Sequence, residues 1–306
     1  MKSPRHVAFV FLDGVGLGPP APGGDAGGNP FNAPRPALAA LAGGAPWTAD
    51  AGAVVRDDHV FLPLDATFGV AGLPQSGTGQ AALLGGFDAV AIFGGHFGPY
   101  PPSPVRPTLA ELNLFSRYVA AGAAPEELAF ANPFPERYFR YAETHARWTA
   151  TTFSCNAAGV RLRTGDDLRR GDAVPPDFTA SLWPEANPPP PMSPVDAGRR
   201  MAAITRAHRL TLFECWVTDK AGHARDGDRA GRVLDNLDAF LGGLVADLDP
   251  ATDLLLLSSD HGNLEDLTVK THTLNAVPLI ALGAGAGAFA EARTLADVVP
   301  ALVSSR

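Results

Sequence analysis

The sequence has few cysteines and no long apolar run, and both features restrict the class of protein to which it can belong. No apolar stretch reaches the ~18 residues that a membrane-spanning helix needs. The apolar run at residues 7–12 is too short for a signal peptide and ends at an aspartate. We therefore expect a cytoplasmic protein with no membrane partner. Its two cysteines, Cys155 and Cys215, are then expected to stay reduced, and Cys215 lies in an apolar run typical of a buried thiol.

Positive charge is also scarce. Lysine and arginine number 24 against 32 aspartates and glutamates, which gives a net charge of −8, and no basic run occurs. This balance argues against a nucleic acid or an anionic membrane surface as partner. With 306 residues, 46% of them hydrophobic, the chain can bury a substantial core. We predict one α/β core spanning residues 1–306 and leave the oligomeric state open.

Three apolar runs predict buried strands, and an aspartate follows each of them. The runs are residues His6–Leu12, 211–218 and Asp253–Ser259, and the aspartates are Asp13, Asp219 and Asp260. Helices predicted at residues 193–208 and 227–248 separate the later strands. This order favours a mostly parallel central sheet with helices on both faces. Ligands of such sheets bind beyond the carboxyl ends of the strands, which is where the aspartates lie.

The segment at residues 133–195 carries aromatic and arginine clusters and a proline-rich run. We predict that it is irregular, is embedded in the core, and forms a small lid or substrate-facing surface. The remaining chain reads as core, so the sequence predicts no large cap domain. A solvated face is the alternative for any single arginine of the segment, such as Arg137.

Carboxylates and imidazoles cluster around these predicted strand ends. Asp219 and His223 are four residues apart, and Asp260 and His261 are adjacent. Mixed oxygen and nitrogen ligands suit zinc, manganese or iron. Read singly, these residues could be a turn, a helix cap or surface histidines. Together they exceed what one tetrahedral site needs, so the pattern favours two divalent metal ions, Mn²⁺ or Zn²⁺. The candidate ligands are Asp13, Asp219, His223, Asp260, His261 and His272.

A candidate nucleophile, Ser76, lies in a Gly-rich segment at residues 74–80, just before an apolar helix. A hydroxyl there faces backbone N–H groups and the positive end of the helix dipole, and a metal would lower its pKa. An ordinary N-cap serine is the alternative. Candidate substrate contacts are Thr78, His96 and Lys220.

Five motifs in the chain resemble those of one enzyme superfamily. They are Phe-Leu-Asp13-Gly-Val-Gly, Ser76-Gly-Thr-Gly79, Asp219-Lys-Ala-Gly-His223, Ser-Asp260-His261-Gly-Asn and His272-Thr-Leu-Asn-Ala-Val-Pro. They fall at roughly residues 6–95 and 195–285. The chain resembles the alkaline phosphatase superfamily, in the metalloenzyme branch that holds cofactor-independent phosphoglycerate mutase and phosphopentomutase. The resemblance implies an alkaline-phosphatase-like core.

The resemblance also implies roles for the site residues. One metal would be bound by Asp219, His223 and His272. A second would be bound by Asp13, Asp260, His261 and the nucleophile Ser76, whose register in the motif favours it over Thr78. The chain departs from the mutases at Gln80, where they carry a histidine.

The implied activity is two-metal-dependent phosphoryl transfer on a small phosphorylated metabolite. We expect a phosphomonoester hydrolase with a phosphoserine intermediate, because excluding water from an intermediate needs a larger closing element than residues 133–195 offer. A phosphomutase acting on a phosphoglycerate or phosphosugar is the alternative. A catalytically degenerate metal-binding protein is an alternative of another class.

Overall fold

The computed structural model describes residues 3–21, 28–145, 147–185 and 187–305. Its main feature is a seven-stranded sheet. In spatial order, with strands numbered along the chain, the sheet consists of β2 (Val54–Val55), β3 (His59–Leu64), β9 (Val277–Gly283), β8 (Asp253–Ser259), β1 (His6–Leu12), β7 (Leu210–Cys215) and β4 (Leu128–Phe130). A separate pair consists of β5 (Pro133–Phe134) and β6 (Arg163–Thr164).

Most strands of the main sheet run in one direction. β4, β7, β1 and β8 pair in parallel, while β9 is antiparallel to both β8 and β3. Five of the seven strands therefore share a direction, and β9 and β2 oppose it. The predicted α/β fold with a mostly parallel sheet is confirmed.

Helices cover both faces of the sheet. They are α1 (Pro36–Leu41), α2 (Ser76–Gly85), α3 (Ala89–Phe93), α4 (Arg106–Leu112), α5 (Leu114–Ala120), α6 (Glu136–His145), α7 (Ala150–Ala158), α8 (Gly165–Arg170), α9 (Pro194–Arg206), α10 (Val217–Ala224), α11 (Gly227–Asp247) and α12 (Val298–Ser304). Among the described residues, none of these helices combines the length and apolarity needed to cross a bilayer.

The central strand β1 shows why two layers of helices form. Its alternate residues Phe9 and Phe11 pack on one face with α2, α4, α5 and α12. Val10 and Leu12 pack on the other face with α9 and α11. Because successive strand residues point to opposite faces, a strand that is apolar throughout needs cover on both sides.

The segment at residues 133–195 differs from the prediction that it is irregular. It contains α6, α7 and α8 as well as the β5–β6 pair. Aromatic contacts hold its first part, with the Phe134 and Tyr138 rings 4.3 Å apart. Asp167 in α8 accepts hydrogen bonds from both Arg161 and Arg170, which fixes its second part. Part of its aromatic and arginine side chains therefore hold the segment together, and its predicted role as a lid or substrate-facing surface stays a prediction.

Candidate metal centre

Three adjacent strands bring the predicted site together. Leu12 at the end of β1 lies in register with Ser259 of β8 and Cys215 of β7. The three strands thus end level, and the chain continues into Asp13, Asp260 and the first turn of α10, which carries Asp219. Asp219 lies in this helix rather than directly after a strand, which differs from the prediction.

The first cluster consists of Asp13, Asp260 and His261, whose potential ligand atoms all lie within 4.8 Å of one another. His261 Nε2 is 3.4 Å from Asp13 Oδ1 and 3.5 Å from Asp260 Oδ2. Asp260 and His261 are fully buried. Ser76 Oγ lies 3.0 Å from the same His261 Nε2. The candidate nucleophile therefore adjoins this cluster.

The second cluster consists of Asp219, His223 and His272. The two carboxylate oxygens of Asp219 face different rings, with Oδ2 3.4 Å from His223 Nε2 and Oδ1 3.8 Å from His272 Nε2. The His272 ring stacks on His261 of the first cluster at a centroid distance of 3.7 Å. The two clusters are therefore direct neighbours.

All three histidines have the same hydrogen-bonding pattern. Nδ1 of His272 lies 2.7 Å from the carbonyl of Pro74, and Nδ1 of His223 lies 3.3 Å from that of Lys270. His261 Nδ1 faces the Gly262 carbonyl at 3.4 Å. A carbonyl only accepts, so each Nδ1 donates to its carbonyl, and each Nε2 is directed at the carboxylates. Histidines that bind metals are typically oriented in this way.

The donor atoms of the first cluster fit a divalent cation. Asp13 Oδ1 and Asp260 Oδ2 are buried and have no hydrogen-bond partner among the described residues. Burial raises the pKa of Asp260 to about 7. Burial and the neighbouring Asp260 and Asp219 raise the pKa of Asp13 well above its usual value. Burial and the nearby His272 lower the pKa of His261 to about 3, so its imidazole is neutral. Two crowded carboxyls beside a neutral imidazole suit a cation better than any other occupant.

Ser76 is the first residue of α2 rather than its N-cap. The N-cap is Gln75, whose side chain makes no capping hydrogen bond. The interpretation of Ser76 as an ordinary capping serine is therefore wrong. Its hydroxyl is left to meet His261 at the positive end of the helix.

Two glycines allow the close approaches in this region. Gly14 has a φ of +68°, and a Cβ there would lie 2.6 Å from Asp219 Oδ1. A Cβ at Gly79 would lie 2.8 Å from the backbone oxygen of Asp260. Glycine therefore brings β1 close to α10, and α2 close to the end of β8.

Two residues that sequence reasoning missed hold the site in place. The Asn263 amide donates to Asp219 Oδ1 at 2.6 Å and to the Asp219 carbonyl at 3.1 Å. Glu265 accepts from the backbone N–H groups of Gly16 and Asn263, at 2.9 and 2.7 Å. Asn263 was present in the quoted motif, whereas no sequence signal pointed to Glu265.

Gln80 has a defined role at the position where the chain departs from the mutase pattern. It is buried in α2, and its side-chain amide acts to lower the pKa of the Asp260 carboxylate. Burial still dominates the Asp260 pKa and keeps it raised. Gln80 therefore acts on the site through Asp260.

The three predicted substrate contacts have different surroundings in the structure. Thr78 is buried, and its hydroxyl accepts from the Phe97 N–H at 3.1 Å, which ties α2 to a loop. Its predicted contact with substrate stays a prediction. His96 Nε2 faces the carbonyl of Val70 at 3.4 Å. Lys220 is exposed, with its ammonium 4.0 Å above the Trp216 ring. The roles of His96 and Lys220 stay predictions.

Comparisons with known proteins agree with this geometry. The model of the Metalloenzyme superfamily matches residues 195–305, which carry Asp219, His223, Asp260, His261 and His272. A 2,3-bisphosphoglycerate-independent phosphoglycerate mutase of Dinoroseobacter shibae is 31% identical over 175 residues. That match covers 55% of this chain and 33% of the mutase. The chain thus spans about a third of the length of the curated relatives it matches.

Solved structures share the fold over nearly the whole chain. A protein of Pyrococcus horikoshii matches with a TM-score of 0.55 and 13% identity, covering 99% of this chain and 98% of that one. The alkaline phosphatase of the Antarctic bacterium TAB5 matches with a TM-score of 0.52 and 12% identity, covering 100% and 98%. The family model and the mutases among the curated relatives agree with the resemblance to the metalloenzyme branch that the motifs predicted, and the solved structures confirm the alkaline-phosphatase-like fold of the core.

Proposed function

We propose that this protein is a two-metal-dependent phosphoryl-transfer enzyme that hydrolyses phosphomonoesters through a phosphoserine intermediate. The observation that carries the proposal is the position of the Ser76 hydroxyl. It lies 3.0 Å from His261 Nε2, at the first residue of α2, beside two adjoining carboxylate–imidazole clusters. The family match and the mutases among the curated relatives support phosphoryl transfer.

The proposed ligands divide between the two clusters. Asp13, Asp260, His261 and Ser76 would hold one ion, and Asp219, His223 and His272 the other. Two divalent ions, Mn²⁺ or Zn²⁺, would supply charge neutralisation for the phosphoryl oxygens and for the attacking and leaving oxygens.

The residues of the chain would carry the bond changes. Ser76 Oγ forms a bond to phosphorus while the bond from phosphorus to the leaving oxygen breaks, and the alcohol departs with the proton that the serine hydroxyl releases. The positive end of the α2 helix dipole, where Ser76 lies, would stabilise the charge on the phosphoryl oxygens. A water molecule then attacks phosphorus, returns one proton to Ser76 and releases inorganic phosphate.

A phosphomutase is the second candidate, and the curated relatives favour it because they are phosphoglycerate mutases. In this version a second hydroxyl of the substrate, rather than water, takes the phosphoryl group from Ser76. The segment at residues 133–195 is proposed as the covering element in either case. The two candidates share the first half-reaction and differ only in the acceptor.

The deciding experiment follows phosphate release and isomer formation together. The metal-loaded protein, with its metals counted, is given p-nitrophenyl phosphate, phosphoglycerates and phosphosugars. Free phosphate supports the hydrolase, whereas isomer without free phosphate supports the mutase. Ser76→Ala should lower kcat of either activity by at least ~10³-fold, because it removes the nucleophile. Ser304→Ala, an exposed serine of α12, is the matched control.

The metal assignment is tested separately. Asp260→Ala should remove one of two bound ions and the activity while leaving the far-ultraviolet circular dichroism spectrum intact. A variant that keeps both ions would contradict the assignment. Two bound ions with no turnover of any phosphate ester would instead support the degenerate metal-binding alternative.

A further inference from the structure

A cleft of about 600 Å³ lies between the carboxyl end of β7 and the segment at residues 133–184. Its volume is in the range of pockets that bind small organic ligands. Phe134, Tyr138 and Trp183 line it from the segment, and Trp216 and Lys220 line it from the strand end.

The cleft is a neighbour of the candidate metal centre. Lys220 directly follows Asp219 in α10, and both Lys220 and Trp216 line the cleft. Glu214, another lining residue, lies in register with Phe11 of β1, two residues before Asp13. A ligand in the cleft would therefore lie beside the helix that carries Asp219.

Most polar groups along the cleft are already engaged within the protein. The Tyr138 hydroxyl donates to Thr152 at 2.8 Å, and the Glu214 carboxylate accepts from Thr151 at 2.7 Å. The Asn132 amide donates to the Glu214 carbonyl at 2.7 Å. A polyhydroxylated ligand would find few partners on these walls, and its buried hydroxyls would then lose their hydrogen bonds to water.

The groups that remain accessible are rings, apolar chains and two cations, Arg137 and Lys220. Tyr141 and Leu182 line the cleft and are 42% and 55% exposed, unusually high for side chains of this type. Lys220 adds positive charge above the Trp216 ring. Aromatic walls with a cation near the proposed reaction site suit an anion that carries a flat ring.

We propose that this cleft binds the alcohol part of the substrate and that this part carries an aromatic ring. The inference rests on the proposed function and names its substrate class: phosphomonoesters of aromatic alcohols rather than of small polyols or hydroxy acids. Tyr141 and Leu182 are then specificity-determining residues at the rim of the cleft.

The test compares two esters whose leaving alcohols have similar acidity, 2-phenylethyl phosphate and ethyl phosphate. The metal-loaded enzyme should show a kcat/KM about tenfold or more higher for the phenylethyl ester, since burying a ring adds binding in the transition state. Tyr141→Ala and Leu182→Ala should each lower that kcat/KM about threefold to tenfold and leave the value for ethyl phosphate within about twofold. Val55→Ala, on β2 and also 55% exposed, is the matched control.

Equal kcat/KM values for the two esters in the wild-type enzyme would overturn the inference and leave the proposed function standing. If the enzyme hydrolyses neither ester, the result counts against the proposed hydrolase. The binding of 2-phenylethanol then tests the inference about the cleft. 2-Phenylethanol added to the full-length protein should change the tryptophan fluorescence through Trp183 and Trp216, and Tyr141→Ala should weaken this binding. No binding of 2-phenylethanol would overturn the inference whatever the enzyme hydrolyses.

Discussion

At the scale of single residues, Asn263 illustrates how a side chain outside the metal ligands positions them. Its amide donates to the carboxylate and to the carbonyl of Asp219, which fixes the carboxylate between His223 and His272. Asn263→Ala should weaken metal binding at this cluster about 10- to 100-fold, as loss of such partners does in other metal sites. Competition with a chromophoric chelator measures the affinity.

Asn156→Ala provides the control for this prediction, because Asn156 is exposed at the end of α7. It should leave both metal affinities unchanged. If Asn263→Ala binds both ions with the affinity of the wild-type protein, Asp219 does not need this orientation and the assignment of the cluster is wrong.

Sequence reasoning found the clustered residues because their positions follow from strand geometry. Asp13 and Asp260 follow buried runs, and parallel neighbouring strands must end at the same edge. Glu265 could not be found in this way, because its acceptor role depends on contact between the loop after β1 and the loop between β8 and β9. A single sequence does not report such loop contacts. The burial of Thr78 could not be predicted either, because it depends on the Phe97 loop, which lies 19 residues away.

At the scale of secondary-structure elements, the packing of α2 against the end of β8 depends on Gly79. A Cβ at this position would lie 2.8 Å from the Asp260 backbone oxygen, so α2 would have to move away. Gly79→Ala should lower kcat about 10²-fold by displacing Ser76 from His261, and should cost about 1–3 kcal/mol of stability. Phosphate release and urea unfolding measure the two effects.

Gly231→Ala is the matched substitution. It lies in α11, and no atom lies within 4 Å of the added Cβ. This variant should be as active as wild type and as stable or slightly more stable, by about 0.5–1 kcal/mol. If Gly79→Ala behaves like Gly231→Ala, the fit between α2 and Asp260 does not control the position of Ser76.

The start of α8 offers a pH-dependent test. Burial alone would raise the pKa of Asp167, but hydrogen bonds from Arg161 and Thr164 outweigh burial and lower it to about 2. The ionised carboxylate therefore stabilises the fold above pH ~4, and this contribution is lost as the pH falls through about 2. The Asp167→Asn substitution should lower the free energy of unfolding by about 2 kcal/mol at pH 7. The difference in this free energy between the variant and wild type should shrink between pH ~4 and ~2.

Urea unfolding at several pH values gives these differences. The neighbouring Asp166→Asn is the control, because Asp166 is 74% exposed in its pair with Arg169 and should contribute well under 1 kcal/mol. If the difference in the free energy of unfolding between Asp167→Asn and wild type stays constant down to pH 2, the lowered pKa of Asp167 is contradicted.

Whether a segment forms a helix or a strand was easier to predict than the direction of a strand in the sheet or a break within a helix. β9 is as apolar as the parallel strands, so its pattern could not show that it runs antiparallel to β8. The helical stretch between residues 106 and 120 is divided into α4 and α5 at Asn113, whose side chain caps α5. The helices within residues 133–195 escaped prediction because their aromatic and arginine side chains pack locally instead of forming a long periodic apolar face.

At the scale of the whole molecule, the proposed ions should contribute to stability. Without them, Asp13 and Asp260 are buried carboxyls with unpartnered oxygens. Ligand binding at about 100 times Kd adds ~2.7 kcal/mol, so chelation should lower the melting temperature by about 5–10 °C. Differential scanning calorimetry with and without EDTA measures the shift, and re-addition of Mn²⁺ or Zn²⁺ should restore it.

Asp260→Ala is the comparison, since it lacks one ligand and one buried charge. Its melting temperature should respond less to EDTA than that of the wild-type protein. An identical melting temperature of the wild-type protein before and after chelation would exclude tightly bound ions from the clusters.

The overall α/β architecture followed from composition and the alternation of apolar runs with helices, because those features depend on local sequence. The cleft did not follow, since it forms where residues 133–184 meet the end of β7, and its lining residues are far apart in the chain. For the same reason, the sequence did not predict the hydrogen bond between Glu214 and Thr151, which are 63 positions apart.

The central position of β1 has a consequence for synthesis in the cell. β1 pairs with β7 and β8, and Val7 lies opposite Leu210 and Leu254, roughly 200 residues or more later in the chain. At ~5–20 residues per second, about 10–40 s separate the emergence of these strands from the ribosome. An apolar strand with two open edges is prone to aggregate during that interval. We therefore expect β1, the strand that Asp13 follows, to be protected by a chaperone during synthesis.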